Sequence, residues 1–195
     1  VLCLGHLAER VVSHVAGSVY SPVVVETVVE TRPLGTAGAL RLAAPLLRSE
    51  PVLVINGDTW TDADFSAFTA AHRRSGAQAS VLCVEVDDVA RYGRVEIDAK
   101  SRISRYAEKD AGASGRGIIS GGFYLFSQTM IADLSRHGGA SLEKDYLERM
   151  PNGTLNAFVA EGAAFIDIGT PKSLASAGQL FPSAAPVADE GLSNT

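Results

Sequence analysis

Apolar positions along this chain fall into short continuous runs and longer amphipathic stretches, and the two kinds alternate. Val1 to Leu4 is a continuous run that predicts a strand. Ala8 to Val15 places apolar residues at 8, 11, 12 and 15, the spacing of one helix face. Val23 to Val29 is β-branched and predicts a strand, and Thr36 to Leu47 predicts a helix with a glycine-rich first turn. Val52 to Ile55 reads as a buried strand closed by Asn56-Gly57. Phe65 to Arg74 reads as a helix whose end Gly76 marks. Ala79 to Val86 is an almost unbroken apolar run, typical of a strand in a sheet covered on both faces.

The middle of the chain changes period. Tyr92 to Asp98 and Arg102 to Glu108 each alternate, with turn-prone Asp98-Ala-Lys-Ser101 between them, which predicts a hairpin at the sheet rim. Asp110 to Gly117 reads as a loop, and Ile118 to Phe126 as a strand containing Gly121-Gly122. A short helix is expected over Thr129 to Leu134 and another over Ser141 to Glu148, capped by Ser141. Leu155 to Val159 and Ala164 to Ile168 are expected to form a final strand pair, followed by a helix from Pro171 to Leu180. Phe181 to Thr195 turns polar and rich in Pro, Ala and Ser, the composition of a flexible tail. The reading is one mixed-sheet α/β domain over residues 1–180 with a tail over 181–195.

Composition narrows the function. The 195 residues are 46% hydrophobic and 20% charged, enough to build a sizeable core. Net charge is −5 and there is no Lys/Arg run, so a nucleic-acid surface is not expected. Cys3 and Cys83 both sit in apolar runs and read as buried reduced thiols. His6, His14, His72 and His137 lack ligand spacing. No stretch reads as a signal peptide or a membrane span, which favours the cytoplasm. Position 1 is Val inside a strand-like run, so the domain is expected to start upstream of it. The sequence leaves homo-oligomerisation open.

Two aspartates stand out. Val52-Leu-Val-Ile-Asn-Gly-Asp58 and Phe165-Ile-Asp167-Ile-Gly-Thr170 each deliver one carboxylate where a strand should end. Ligands of open α/β sheets bind at the carboxyl ends of strands. Two carboxylates there suit Mg²⁺, which takes one or two carboxylates plus substrate phosphates. Either aspartate alone also fits an ordinary turn or helix cap. Pro33-Leu-Gly-Thr-Ala-Gly-Ala-Leu40 puts Gly35, Thr36 and Gly38 around a helix start, where exposed N–H groups suit an anion or a base edge, although a plain connection would look similar. It matches neither the P-loop nor the G-x-G-x-x-G pattern. Glu30 at a strand end either accepts from a guanine edge or is a solvated rim glutamate. Glu108-Lys109 is either an exposed ion pair or a phosphate-binding lysine beside a sugar-binding glutamate. Gly93, Gly121 and Gly122 mark bare backbone that either packs closely or lets a ligand approach. Glu143-Lys144-Asp145 reads as a solvated helix face bordering the pocket at most.

The order of these motifs resembles the sugar-1-phosphate nucleotidylyltransferases. Pro-Leu-Gly-Thr-Ala-Gly-Ala, Asn-Gly-Asp, Tyr-Gly-Arg-Val, Glu-Lys, Gly-Gly-Phe-Tyr and Ile-Asp-Ile-Gly-Thr-Pro carry the resemblance from about Val1 to Leu180. Leu-Gly-Thr-Ala-Gly, Asn-Gly-Asp-Thr, Ser-Leu-Glu-Lys-Asp and Phe-Ile-Asp-Ile-Gly are similar to the D-glycero-D-manno-heptose 1-phosphate guanylyltransferase branch. The resemblance implies a Rossmann-like, mixed, mostly parallel sheet with helices on both faces and a β-hairpin insert. It implies in-line attack of a sugar 1-phosphate on the α-phosphorus of a nucleoside triphosphate, releasing pyrophosphate and giving a nucleotide-sugar for cell-surface glycans. Asp58 and Asp167 would hold Mg²⁺, Lys109 the sugar phosphate, and Glu108 and Gly93 the sugar hydroxyls. Gly121 and Gly122 would line the sugar site, and Glu30, Gly35, Thr36 and Gly38 would frame the base. The family's N-terminal G-x-G-T-R loop is not found in this sequence, so the chain as written is expected to be N-terminally truncated and poorly active. Ser120 stands where the branch often has Asn, which leaves the sugar open. Mannose 1-phosphate with GTP, glucose 1-phosphate with dTTP or UTP, and a non-catalytic nucleotide-binding subunit are the alternatives.

Overall fold

A computed structural model of the chain describes residues 1–17, 23–107 and 114–180. The first half runs β1 (Leu2–Leu4), α1 (Ala8–Ala16), β2 (Thr27–Val29), α2 (Gly35–Ala43), β3 (Val52–Ile55), β4 (Thr59–Thr61), α3 (Phe65–Ser75) and β5 (Ala79–Val86). The second half runs β6 (Arg94–Ile97), β7 (Ile103–Ala107), β8 (Gly117–Phe126), α4 (Gln128–Arg136), α5 (Leu142–Asp145), β9 (Leu155–Val159), β10 (Phe165–Asp167) and α6 (Pro171–Leu180).

Strand β8 organises the main sheet. On one edge it pairs antiparallel with β5, which pairs in parallel with β9. Its other edge is shared: Phe123–Phe126 pair with β3, while Ile119 pairs with Arg94 of β6. Thus β3, β5 and β9 run in one direction and β8 runs against them, and the β6–β7 hairpin forms the rim as its alternation predicts. A register shift separates Leu82, opposite Phe123, from Cys83, opposite Ser120. Gly121 and Gly122 are the two residues left over, and Gly122 holds φ +79°. Because two residues are inserted rather than one, side-chain parity survives the bulge.

Both faces of the sheet are covered. Tyr124 and Phe126 of β8, with Val81 and Cys83 of β5, pack with Leu40 of α2, Leu134 of α4 and Leu142 of α5. Ile119, Phe123 and Leu125 turn the other way, with Leu82 and Val84, to form a second core with Phe68 of α3. Burying Phe68 or Phe126 contributes about 1.5–3 kcal/mol each relative to leaving it exposed. Helix starts follow local chemistry. Asp64 accepts from the Ala67 N–H at 2.9 Å, Ser127 from Met130 at 3.1 Å and Ser141 from Lys144 at 3.1 Å. Gly76 ends α3 in the left-handed region at φ +62°.

Several expectations need correction. Leu155–Val159 and the segment around Asp167 do not pair: β9 joins β5, and β10 joins β4 in a separate ribbon. The strand expected from Val23 is formed only over Thr27–Val29, where β1 supplies a partner. Strand β3 is not fully buried; Leu53 and Ile55 are exposed because β8 is its one neighbour among the described strands. The Ser141–Glu148 helix breaks after Asp145 and resumes as a 3₁₀ turn over Leu147–Arg149. Cys83 is buried, and burial pushes its thiol up to about 12, whereas Cys3 is exposed. The tail, Glu108 and Lys109 lie outside the described residues.

Two outcomes follow from this packing. Buried His72 lies 2.8 Å from the Ser80 hydroxyl, and desolvation lowers its pKa. The fold therefore favours neutral imidazole, and its stability is complete above the ordinary histidine pKa of about 6.5 and lost as pH falls through the lowered folded value. Melting temperature should drop between neutral and mildly acidic pH, and His72→Gln should flatten that dependence. A Cβ at Gly122 would sit 2.9 Å from both Asn56 Nδ2 and Thr59 Oγ1, on backbone in the left-handed region. Gly122→Ala should cost about 1–3 kcal/mol in denaturant unfolding, more than Gly57→Ala, whose Cβ would meet nothing within 4 Å.

Candidate active site

The site begins where β3 ends. The Asn56 N–H donates to the Gly122 carbonyl at 2.8 Å, holding the chain against β8 before Gly57 releases it. Asp58 follows, and Thr59 opens β4, whose antiparallel partner β10 places Asp167 opposite Thr59. The Ile168 N–H closes the ribbon on the Asp58 carbonyl at 2.8 Å. At the far end Thr61 Oγ1 donates to the Ala164 carbonyl, and Asp62 accepts from the Ala164 N–H, both at 2.7 Å. These bonds fix the register, so two aspartates remote in sequence become neighbours.

The carboxylates share one small space. A Cβ at Gly169 would lie 2.9 Å from Asp167 Oδ1 and 3.4 Å from Asp58 Oδ2. A side chain at 169 would displace the Asp167 carboxylate, and the Gly169 N–H already donates to Asp167 Oδ1 at 2.6 Å. Like charges this close are stabilised by a cation. Among the described residues no group of three or more His, Cys, Asp or Glu converges. A cation held by the pair would therefore complete its shell with water or substrate oxygens, the coordination Mg²⁺ favours.

Asp58 and Asp167 stand at a cavity of about 260 Å³ that Asn56, Arg91, Gly93, Ser120, Gly122 and Glu143 also line. Tyr106 and Tyr124 contribute to the same wall, and Phe165 packs edge-on to Tyr92 with ring centres 5.9 Å apart. Burial, the largest cause, raises the Tyr106 and Tyr124 phenols well above their ordinary range, so both hydroxyls keep their protons at neutral pH. Asp58, Arg91 and Asp167 also border an adjoining cavity with Gly169 and Thr170.

Of the residues singled out from sequence, Asp58, Asp167, Gly93 and Gly122 line the cavity. Glu30, Gly35, Gly38 and Gly121 do not, and the structure gives each another task. Glu30 Oε2 accepts from the Leu34 N–H at 2.9 Å at the start of α2. Gly35 holds φ +72°, and its Cβ would clash with the Ala140 carbonyl. That carbonyl accepts from the Ala37 N–H at 2.8 Å, so the first turn of α2 is partly occupied rather than open to an anion. Gly38 is buried against Leu34, and Gly121 against Leu82. Thr36 reaches the site indirectly, through Glu143.

Sequence reasoning missed Arg91 and misjudged Glu143. Arg91 precedes the Tyr92-Gly93 pair and extends over the Tyr92 ring at 5.5 Å, facing both carboxylates' cavities. Its adjacency to a glycine flagged from sequence was the available signal. Glu143 is not a solvated charge: it is half-buried, and its Oε1 accepts from Tyr124 OH at 2.7 Å. The charged string Glu-Lys-Asp conceals this, because Glu143 turns to the cavity while Asp145 turns back to accept from the Ala140 and Ser141 N–H groups.

The nucleotidyl transferase family model matches residues 1–183. The chain is 33% identical over 158 residues to a mannose-1-phosphate guanyltransferase of Debaryomyces hansenii, covering 78% of this chain and 43% of that protein. It is 36% identical over 147 residues to mannose-1-phosphate guanyltransferase beta-B of Xenopus laevis, covering 73% and 40%. The chain thus spans about two fifths of the length of these curated relatives. HddC from Yersinia pseudotuberculosis superposes with a TM-score of 0.79 at 33% identity, over 91% of this chain and 76% of that one. HddC complexed with GMP-PN gives 0.78 at 35%, over 92% and 77%. The paired aspartates, the glycine-lined cavity and these matches lead to one conclusion: the chain belongs to the nucleotidyl transferase family.

Proposed function

We propose that the protein containing this chain is a sugar-1-phosphate nucleotidylyltransferase of the cytoplasm. It joins a nucleoside triphosphate, GTP by preference, to a sugar 1-phosphate, heptose 1-phosphate by preference. The observation that carries this reading is the convergence of Asp58 and Asp167 beside Gly169, at a cavity walled by hydroxyl and peptide groups. The first is suited to phosphates and a cation, the second to a polyol.

On this reading Asp58 and Asp167 would hold Mg²⁺, which would supply charge neutralisation for the phosphates. Arg91 adds a guanidinium at the same end of the cavity, of the shape and charge that suit phosphate oxygens. Gly93 and Gly122 let the sugar approach the backbone, and Ser120, Tyr124 and Glu143 bond its hydroxyls. A phosphate oxygen of the sugar 1-phosphate attacks the α-phosphorus, the bond to pyrophosphate breaks, and no protein nucleophile intervenes. Catalysis is then positioning and charge neutralisation. The resemblance assigns Lys109 to the sugar phosphate, Glu108 to its hydroxyls, and Glu30, Gly35, Thr36 and Gly38 to the base.

The guanine preference is supported by the likeness to HddC from Yersinia pseudotuberculosis, whose structure was solved in complex with GMP-PN. The mannose-1-phosphate guanyltransferases among the relatives favour the same base with a different sugar, which makes mannose 1-phosphate the second reading. Both belong to one assay.

In the full-length protein, Asp58→Asn and Asp167→Asn should each lower pyrophosphate release on the order of 100-fold or more, with melting temperature retained. Near-normal turnover in both would remove the two-carboxylate model. Across a panel of GTP, UTP, dTTP, ATP and CTP, release should be greatest with GTP and D-glycero-D-manno-heptose 1-phosphate. Higher kcat/KM with mannose 1-phosphate would transfer the assignment to that sugar, and release with UTP or dTTP alone would contradict the guanine reading.

A further inference from the structure

Bonds in opposite directions join the first turn of α2 to the start of α5. The Ala37 N–H donates to the Ala140 carbonyl at 2.8 Å, and the Leu142 N–H donates to Thr36 Oγ1 at 2.7 Å. Arg41 Nη2 adds a further bond, to the Gly139 carbonyl at 2.6 Å. From the other side the Asp145 carboxylate accepts from the Ala140 and Ser141 N–H groups at 2.8 and 2.9 Å. Residues 139–142 are therefore clamped between α2 and Asp145. The clamp matters because α5 is four residues long, too short to hold itself as a helix in water. Glu143, which α5 carries into the cavity, is oriented by whatever holds the residue before it.

Thr36 holds that residue and also reaches the carboxylate. A hydroxyl accepts and donates at once. Having accepted from Leu142, Thr36 Oγ1 has its own proton to give, and Glu143 Oε2 lies 3.4 Å away. Glu143 Oε1 accepts from Tyr124 OH at 2.7 Å. One carboxylate oxygen is thus engaged from the sheet and the other from α2. Ser141 Oγ also lies 3.4 Å from Oε2, but it caps α5 as well, accepting from the Lys144 N–H at 3.1 Å. Ser141 and Glu143 line the cavity; Thr36 is exposed and is not among the lining residues. Branching at its Cβ restricts χ1, so the hydroxyl has few directions open to it.

We infer that Thr36 is a positioning residue for the sugar: without touching it, its hydroxyl sets the Glu143 carboxylate that accepts from a sugar hydroxyl. The inference rests on the transferase reading above and changes what Thr36 does in it. The resemblance places Thr36 at the base, where loss of the hydroxyl would weaken nucleotide binding. Its bonds run instead to Leu142 and Glu143, so the same loss weakens sugar binding. A purely structural role has a third outcome, a lower melting temperature with both affinities kept.

The test uses the full-length protein with Thr36→Val, which keeps the branched shape and removes the hydroxyl, and Thr36→Ser, which keeps the hydroxyl. Thr36→Val should raise the KM for the sugar 1-phosphate about threefold to tenfold, with kcat and the KM for the nucleoside triphosphate retained. Thr36→Ser should return the sugar KM to within about twofold of the parent. Thr36→Val added to Glu143→Gln should leave the sugar KM of Glu143→Gln unchanged, because residues acting through one carboxylate are not additive. If Thr36→Val does not fold, Thr36→Ala, a better helix former without the hydroxyl, carries the same expected rise. A raised nucleotide KM with unchanged sugar KM would overturn the inference, as would unchanged KM for both substrates or full additivity in the double variant. Each of these leaves the transferase reading standing. Ligand-observed NMR with sugar 1-phosphates separates the remaining case. Binding weakened by Thr36→Val in a protein that releases no pyrophosphate would support the inference while the transferase reading fails. Absence of sugar binding in the parent would overturn both.

Discussion

The pairing of β4 with β10 is the constraint on which the site depends. Each strand is three residues long, and neither belongs to the main sheet. Their antiparallel register nevertheless sets Asp167 opposite Thr59 and so brings it beside Asp58. A slip of one residue would turn Asp167 to the other face of the ribbon and separate the acids. The bonds from Thr61 and Asp62 to Ala164 guard against that slip at one end, and Ile168 on Asp58 at the other. The glycines follow from this arrangement: Gly169 because the Asp167 carboxylate occupies the space of its side chain with that of Asp58 beside it, Gly122 because Asn56 and Thr59 occupy the space of its own.

The opposite wall is built on a different principle. Charge organises the acid end, whereas the floor is a set of neutral hydroxyls ordered by one half-buried carboxylate. Strand β8 supplies Ser120 and Tyr124 from either side of its two-residue bulge, and conserved parity keeps them on one face. Helices α2 and α5 deliver Glu143 through Thr36 and Ser141. Main sheet, helical layer and ribbon therefore each contribute one part of the cavity, and the Tyr124–Glu143 bond joins the first two directly.

Much of this was legible in the chain because some residues announce their positions. Asn56-Gly57-Asp58 after Val-Leu-Val-Ile, and Ile166-Asp167-Ile168-Gly169, mark strand ends that carry acids. The alternation at Tyr92–Asp98 and Arg102–Glu108 marked the hairpin, and its β6–β7 core formed as expected. What was not legible depends on partners remote in sequence. Strands β9 and β10 are close in the chain and each apolar, so mutual pairing was the local reading; the parallel edge of β5 and the waiting edge of β4 took them apart. Glycine signals were ambiguous for the same reason. Gly38 and Gly122 look alike in sequence, but one is pressed against Leu34 within a helix and the other lines the cavity. Glu143 sat in a run of charges, and only the position of Tyr124 distinguishes it from a solvated neighbour.

The central claim is that the β4–β10 register creates one cation seat from Asp58 and Asp167. Anomalous diffraction from crystals of the full-length protein grown with Mn²⁺ and a nucleotide-sugar tests it most directly. The account predicts a single manganese peak ligated by both carboxylates and by a phosphate oxygen of the nucleotide-sugar. A peak bound by neither aspartate, or nucleotide-sugar phosphates seated away from them, would contradict it.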